Sequence, residues 1–387
     1  MSDGWAGLMR QALRQAVRGY GRTGPNPLVG ALVVRDGEVI SSGYHVQVGK
    51  AHAEVMALDR AGAAAAGADL VVTLEPCSHF GRTPPCVGRV VQAGVKRVVV
   101  GCLDPNPRER GRGVAKLREA GLDVLVGVEE ERCRRLNDAY FKFITTGIPF
   151  VTLKLAMSLD GRIATGSGDA RWISGSETAR FVHGLRRECN AILVGGETVR
   201  GDDPSLTVRL VRPDTKPLRV VVSSGRDLAP AARVFQDQER WPTVLFCGPL
   251  LPDALRRQLE SQGVRVERIG PPAAASEGDG GSVGSGSGAE PGEEGDVDLA
   301  DVLVRLGRMG VSRLLVEGGG KLGGAMLTSG LVDRFVAIHA PLVIGSSGRS
   351  SVAAELPDVL STLPRYEVEW MRRMGTDCVV SVRTRKS

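Results

Sequence analysis

Apolar positions along this chain follow two rhythms, one near 3.6 residues and one of short β-branched runs. Leu8, Leu13 and Val17 recur at helical spacing and predict an amphipathic helix over about residues 5–19. The run 29–34 predicts a strand, Asp36-Gly37 a hairpin turn, and Gly43-Tyr44-His45 the end of the returning strand. A helix is expected from His52 through Met56 and Leu58 to an alanine-rich tail at 63–66. Residues 69–74, Asp69-Leu70-Val71-Val72-Thr73-Leu74, predict a buried strand. Cys86 then opens a helix that stops near Gly94. Beyond it the pattern predicts a strand at 97–101, a helix at 114–120, a strand at 123–126 and one long helix over about 130–145.

Gly147-Ile148-Pro149 breaks the pattern, and a second run of alternating elements begins at residue 150. Strands are expected at 150–155, 191–194, 219–222, 243–246, 264–269, 313–316 and 335–339. A helix is expected over 297–309, and an antiparallel pair, 367–370 with 378–382, closes the chain. Strands alternating with helices imply α/β architecture, with ligands at strand ends. The predicted division is a first domain over 1–147 and a second over 148–387. Residues 271–296 are rich in Gly, Ser and acids, with no Lys or Arg, and read as a flexible insertion in the second domain.

Composition narrows the class. At 387 residues and 42% hydrophobic there is material for two cores, and with aromatics at only 4% those cores must be aliphatic. The net charge of +6 is not gathered into basic blocks interleaved with aromatics, which argues against a nucleic-acid partner and suits a small phosphorylated ligand. Seven cysteines, scattered and odd in number, do not suggest a disulfide framework. No apolar stretch is long enough to span a membrane, and residues 1–5 do not begin a signal peptide, so a cytoplasmic protein is expected.

The chemistry concentrates in His52-Ala53-Glu54, Pro76-Cys77 and Pro85-Cys86. One histidine and two cysteines are a zinc-ligand set, and three protein ligands leave a fourth position for water. Bound zinc lowers the pKa of that water from about 15.7 to about 7. Glu54, two residues past His52, is placed to carry its proton to a leaving group without being a ligand. H-x-E followed by P-C is the pattern of zinc nucleobase deaminases. In those enzymes the second cysteine usually comes three residues after the first; here it comes nine residues on.

In these features the chain resembles the bacterial family of bifunctional riboflavin-biosynthesis deaminase/reductases. The resemblance rests on Thr23-Gly24-Pro25-Asn26-Pro27, His52-Ala53-Glu54-Val55, Leu74-Glu75-Pro76-Cys77-Ser78-His79, Gly81-Arg82-Thr83-Pro84-Pro85-Cys86 and Asp104-Pro105-Asn106-Pro107. In the second half it rests on Lys154-Leu155-Ala156-Met157-Ser158-Leu159-Asp160-Gly161, Asp202-Asp203-Pro204-Ser205-Leu206-Thr207-Val208-Arg209 and Val316-Glu317-Gly318-Gly319. The long cysteine spacing belongs to this family. The resemblance implies a three-layer, cytidine-deaminase-like first domain and a second domain like dihydrofolate reductase. It implies Zn2+ on His52, Cys77 and Cys86, with Glu54 as the catalytic acid/base. Asn26, His45, His79 and Arg82 would line the pyrimidine pocket. The substrate would be 2,5-diamino-6-ribosylamino-4(3H)-pyrimidinone 5′-phosphate, whose 2-amino group is hydrolysed before NADPH reduces the ribosyl group to ribityl. A homo-oligomer is expected.

In the second domain Gly318-Gly319-Gly320-Lys321-Leu322-Gly323 fits G-x-G-x-x-G between a strand and a helix. A Rossmann site also wants an acid at the end of the next strand. That strand ends His339-Ala340-Pro341, so the Rossmann fold is rejected. Glycine amides at a helix start still suit a pyrophosphate, and Gly319, Gly320, Lys321, Leu322, Gly323, Gly324 and Ala325 are the expected phosphate loop. The resemblance adds Ala156, Trp172, Thr198, Asp202 and Ser224 as cofactor contacts. It assigns Lys154, Ala170, Arg186, Leu206, Arg209 and Glu317 to the substrate, the arginines suiting its phosphate. Family members often have serine at the position of Ala170; a backbone contact survives that change and a hydroxyl contact does not.

Three other readings stand beside this one. A deaminase acting on a flipped base needs a basic, aromatic groove and has no use for the second half. A deaminase with an inactive second half is opposed by the retained Lys154, Asp202, Arg209 and Glu317. A zinc-stabilised scaffold needs a fourth protein ligand.

Overall fold

The computed structural model describes residues 2–81, 83–170, 173–212, 216–270 and 297–384. The expected insertion at 271–296 lies outside them. The chain divides into two compact units, Met1–Phe150 with Gly310–Ser312, and Val151–Met309 with Arg313–Ser387.

The first unit runs through helix α1 (Ser2–Ala16), strands β1 (Gly30–Arg35) and β2 (Glu38–Tyr44), helix α2 (Ala53–Ala61), strand β3 (Asp69–Leu74), helix α3 (Cys86–Gln92), strand β4 (Arg97–Cys102), helix α4 (Arg112–Glu119), strand β5 (Asp123–Val126) and helices α5 (Glu130–Leu136) and α6 (Asp138–Thr146). Its five-stranded sheet has the order β2-β1-β3-β4-β5. β1 is antiparallel to β2 and β3, while β3, β4 and β5 are parallel. β3 is buried along its whole length, its apolar centre carrying the polar Asp69 and Thr73 in with it.

Two glycines explain how helices cover both faces. Gly43 pairs with Ala31, so Gly43 and the neighbouring Gly30 face opposite sides of the sheet. A Cβ on Gly30 would stand 2.0 Å from the Ala12 carbonyl oxygen of α1, and one on Gly43 2.3 Å from the Ala53 carbonyl oxygen of α2. Each helix therefore rests directly on strand backbone, one on either face.

The structure departs from the sequence pattern at two places. The alanine-rich tail is not α-helix; α2 stops at Ala61, and Gly62, at φ 56°, leads a 3₁₀ turn, Gly62–Ala65. The expected helix over 130–145 is two helices that meet at Asn137 (φ −110°, ψ 18°). The fully buried Asn137 amide accepts from the Leu28 N–H at 2.8 Å and donates to the Leu28 carbonyl at 2.9 Å. That paired bond to a distant backbone outweighs continuing the helix, for which asparagine has little preference.

The second unit continues with β6 (Phe150–Met157), β7 (Arg162–Ala164), α7 (Ser176–Glu188), β8 (Ala191–Gly195), α8 (Gly196–Asp202), β9 (Leu218–Ser223), β10 (Thr243–Cys247), α9 (Asp253–Ser261), β11 (Arg265–Arg268), α10 (Leu299–Arg308), β12 (Arg313–Glu317), α11 (Gly320–Thr328), β13 (Arg334–His339), β14 (Arg349–Ser350), β15 (Tyr366–Met374) and β16 (Asp377–Thr384). Nine strands form one sheet in the order β11-β10-β9-β8-β12-β6-β13-β16-β15, and β14 pairs with β7. β16 runs antiparallel to β13 and β15, the closing pair read from the sequence. β8, β9 and β10 are wholly or almost wholly buried and aliphatic, as the low aromatic content demands. Cys102, Cys133, Cys189 and Cys247 are buried and Cys378 is half-buried; none is in a disulfide.

Candidate active sites

In the first unit, three elements meet at one point. His52 is the residue before α2, Cys77 follows the C-terminal end of β3, and Cys86 is the first residue of α3. Their ligand atoms lie within 4.8 Å of one another. His52 Nδ1 is 3.2 Å from Cys86 Sγ and 3.5 Å from Cys77 Sγ. Tetrahedral zinc, with Zn–S of about 2.3 Å and Zn–N of about 2.0 Å, sets nitrogen and sulfur roughly 3.5 Å apart. The triangle therefore fits zinc with Nδ1 of His52 as the nitrogen ligand. It is the only cluster of three or more His, Cys, Asp or Glu ligand atoms among the described residues, and it contains no fourth protein ligand.

The protein's own groups prepare a thiolate there. A hydrogen bond from Cys86, and then His52, pull the Cys77 thiol down to about 4 against burial. The same bond and burial push Cys86 up. Glu54 stands in the first turn of α2, and burial pushes its carboxyl up to about 7 against the attraction of His52. A carboxyl poised near neutrality exchanges protons readily in both directions.

His52, Glu54 and Cys77 line a cavity of about 380 Å³ that also includes Asn26, His45 and His79; Cys86 does not line it. His45 Nδ1 faces the Ala51 carbonyl at 3.3 Å and its Nε2 faces Asn26 Nδ2 at 3.1 Å. A carbonyl on one side and an amide donor on the other fix the neutral ring with its proton on Nδ1. Burial, with a smaller push from His52, lowers the His45 pKa to match. Arg82 lies outside the described residues.

Among the lining residues that the sequence reading did not assign to the site are Glu75, Asp104, Glu109 and Tyr140. Glu75 accepts from the backbone N–H groups of Asp104, Gly111 and Val114 at 2.9–3.1 Å, which ties the end of β3 to the start of α4. Tyr140 donates its hydroxyl to Asp104 at 3.0 Å. Burial raises Asp104 to about 6. Asp104 and Glu75 stood inside quoted motifs, but nothing in the pattern tied Glu109 or Tyr140 to the cavity.

In the second unit a larger cleft, of about 1400 Å³, is lined by most of the residues named from the second half. Ala156, Thr198, Asp202, Gly319, Gly320 and Lys321 line it; Ser224 and Leu322 to Ala325 do not. Ser224 is wholly buried with its hydroxyl unpartnered. The Gly323 N–H donates to the Gly319 carbonyl, so from Gly323 onward the amides belong to the helix ladder. Of the expected phosphate loop, Gly319, Gly320 and Lys321 line the cleft. Lys321 there pairs with Glu197 of α8 at 2.5 Å.

Lys154, Ala170, Arg186, Leu206 and Glu317 line the same cleft; Arg209 does not, and Trp172 lies outside the described residues. Arg186 spends its fork within the protein, giving Nε and Nη2 to the two Glu317 oxygens at 2.5 and 2.9 Å and Nη1 to the Thr207 carbonyl at 3.0 Å. Burial acts to raise Glu317, but Arg186 and then Lys154 and His183 outweigh it and hold the carboxyl near about 2. Burial lowers the Lys154 pKa despite Glu317. Leu206 is buried at φ 50°, a left-handed backbone that costs a branched side chain strain.

Comparison with known proteins accounts for both sites. The family model described as the cytidine and deoxycytidylate deaminase zinc-binding region matches residues 6–102. The RibD C-terminal domain model matches residues 149–380, more than half of the chain. The chain belongs to the RibD family. The riboflavin biosynthesis protein RibD of Aquifex aeolicus is 41% identical over 337 residues, 87% of each chain. That of Escherichia coli is 37% identical over 386 residues, 95% of this chain and 96% of the relative. Among solved structures, RibD of Acinetobacter baumannii aligns over 100% of both chains at 32% identity and TM-score 0.85. The Thermotoga maritima deaminase/reductase aligns over 99% of both at 32% identity and TM-score 0.81. The fold is a cytidine-deaminase-like unit followed by a RibD reductase unit of the dihydrofolate-reductase type. A RibD chain carries a deaminase and a reductase, and a deaminase with a decayed second half is not favoured. No helix among the described residues is long and apolar enough to cross a membrane.

Proposed function

We propose that this chain performs two successive steps on one phosphorylated pyrimidine. Residues 1–147 deaminate 2,5-diamino-6-ribosylamino-4(3H)-pyrimidinone 5′-phosphate, and residues 148–387 reduce its ribosyl group to ribityl. The observation that carries the reading is the zinc-sized triangle of His52, Cys77 and Cys86, of which His52 and Cys77 line one cavity with buried Glu54. The assignment of this substrate rests on kinship with RibD. Kinship with bacterial RibD enzymes is in keeping with a cytoplasmic location, and a homo-oligomer belongs to the same reading.

Zinc, when bound by His52, Cys77 and Cys86, supplies a water that ionises at neutral pH. Glu54 would accept a proton from the attacking water and return it to the 2-amino nitrogen, so that a C–O bond to the ring carbon replaces the C–N bond and ammonia leaves. Asn26, His45, His79 and Arg82 hold the pyrimidine. The fixed tautomer of His45 leaves its Nε2 as an acceptor, shared between Asn26 and the ring.

NADPH, when bound in the second cleft, supplies the hydride. The first turn of α11 and Lys321 hold its phosphates, with Ala156, Trp172, Thr198, Asp202 and Ser224 around the rest. Lys154 and Glu317 face the ribose, and burial makes Lys154 a better proton donor to the developing oxyanion. The committed fork of Arg186 makes it the group that keeps Glu317 ionised and in place. Arg209 and the backbone at Ala170 and Leu206 complete the substrate contacts.

The test is one assay with two readouts, ammonia release and NADPH loss, from zinc-loaded protein given the diamino substrate. Both signals are expected. Glu54→Gln should keep zinc and cut ammonia release by roughly 10²-fold or more. A fully active Glu54→Gln would remove Glu54 from the mechanism.

A further inference from the structure

Glu109 lies in the turn between β4 and α4, thirty residues from the loop it grips, and its side chain is nearly inaccessible. Both carboxylate oxygens accept from the Ser78 N–H, at 3.0 and 2.8 Å. One also accepts from the Ser78 hydroxyl at 2.7 Å, the other from the His79 N–H at 3.3 Å. The oxygen that takes the His79 N–H also meets His79 Nδ1 in a very short contact. Four of these bonds fasten loop backbone and hydroxyl. The fifth does something different, because it engages the ring of a residue that lines the deaminase cavity.

We propose that Glu109 is a positioning residue for the deaminase, acting through His79. A carboxylate accepts only, so the shared bond requires the proton on Nδ1. Nε2 is then the ring nitrogen left for the substrate. The same logic orients the histidine of a catalytic triad, where a buried carboxylate fixes tautomer and aim rather than reacting. Glu109 also anchors Ser78, next to Cys77, and Lys116 Nζ holds the Ser78 carbonyl at 3.0 Å. The stretch that carries His79 is thus clamped from two sides. The pattern is built for a ring held still, and a surface histidine needs none of it.

This inference rests on the reading that His79 meets the pyrimidine. The test is a double-mutant cycle on full-length, zinc-loaded protein, with ammonia release from the diamino substrate measured over a range of concentrations. Glu109→Leu keeps the approximate size and offers no acceptor to Nδ1–H, whereas a glutamine could turn its amide oxygen to the ring and its nitrogen to the Ser78 hydroxyl. Glu109→Leu should raise KM about tenfold with kcat within about twofold, the span of a lost contact between coupled groups. Zinc should stay at one per chain. His79→Ala should raise KM comparably, and the double variant should be no worse than His79→Ala alone. Effects that multiply would overturn the proposal, as would a silent Glu109→Leu or one that loses zinc, because Glu109 would then act on the loop or the metal. Should Glu109→Leu not fold, nitrogen-15 spectra of the wild-type imidazoles decide, with His79 assigned by its absence in His79→Ala. A proton on Nδ1 supports the proposal and a bare Nδ1 sinks it. A wild-type chain that releases no ammonia from the diamino substrate removes the functional reading instead, and the nitrogen spectra still report whether Glu109 holds the ring.

Discussion

His183 shows how much a single buried side chain can reveal. It sits in α7, 4% exposed, and its Nδ1 accepts the backbone N–H of Arg209 at 3.1 Å. That bond needs a lone pair, so protonating Nδ1 would destroy it and bring a second cation beside Arg186. Burial first, then Arg186 and Arg209, push His183 down to about 4. Between about 4 and about 6.5 the unfolded chain therefore binds more protons than the folded one, and stability rises with pH across that window. The contribution, fully present above about 6.5, is of order 2–3 kcal/mol. Urea melts at pH 4.5 and 7 should show it, and His183→Asn should flatten the difference; an unchanged slope would place the titration elsewhere. None of this was legible in the sequence, where His183 and Arg209 are ordinary polar letters 26 apart. Glu109 is hidden for the same reason. His52, Cys77, Cys86 and Glu54 were readable because metal chemistry restricts residue type as well as spacing.

At the scale of elements, the site depends on how closely α2 rests on β2. Gly43 lets the Ala53 carbonyl approach the strand, and Ala53 directly follows the ligand His52. Gly43→Ala would force its Cβ to within 2.3 Å of that oxygen unless the helix start moves. Interiors are packed too tightly to absorb such a shift without cost. The expected result is a loss of roughly 2–3 kcal/mol in stability, together with weaker zinc retention against a chelator. Gly88 in α3 is the control, since its added Cβ would meet nothing within 4 Å. Gly88→Ala should gain up to about 1 kcal/mol from helix propensity alone and leave zinc in place. If Gly43→Ala melts like the wild type, close approach does not set the helix start. Strand runs such as 69–74 and 97–101 were legible because short segments with a β-branched, apolar centre have few other uses. The break at Asn137 was not, because the helical pattern runs through it and the deciding bonds come from Leu28. The start of the α11 hydrogen-bond ladder was equally hidden: glycines announce a turn, but only the Gly323–Gly319 bond says where the ladder begins.

At the scale of the whole molecule, the two chemistries draw on separate sets of residues. Every zinc ligand and every residue lining the first cavity falls within the first 150 residues. Every residue lining the second cleft falls between Lys154 and Ala353. Each unit has its own sheet and its own buried core. This separation was visible in the sequence as a restart of the α/β rhythm after Gly147-Ile148-Pro149. It follows that removing zinc should act on one reaction alone. Protein stripped by a chelator should release no ammonia from the diamino substrate and so consume no NADPH in the coupled assay. Supplied with the deaminated intermediate, the same stripped protein should consume NADPH at a rate within about twofold of the zinc-loaded enzyme, because no reductase group is a ligand. His52→Ala should reproduce both results without a chelator, which separates loss of the metal from side effects of the reagent. A large fall in NADPH consumption on the intermediate, in both preparations, would mean that the metal holds up the second unit as well as serving the first. Structural zinc contributes directly to folding, so that outcome would also lower the melting temperature of the reductase unit, and calorimetry on the stripped protein would register it.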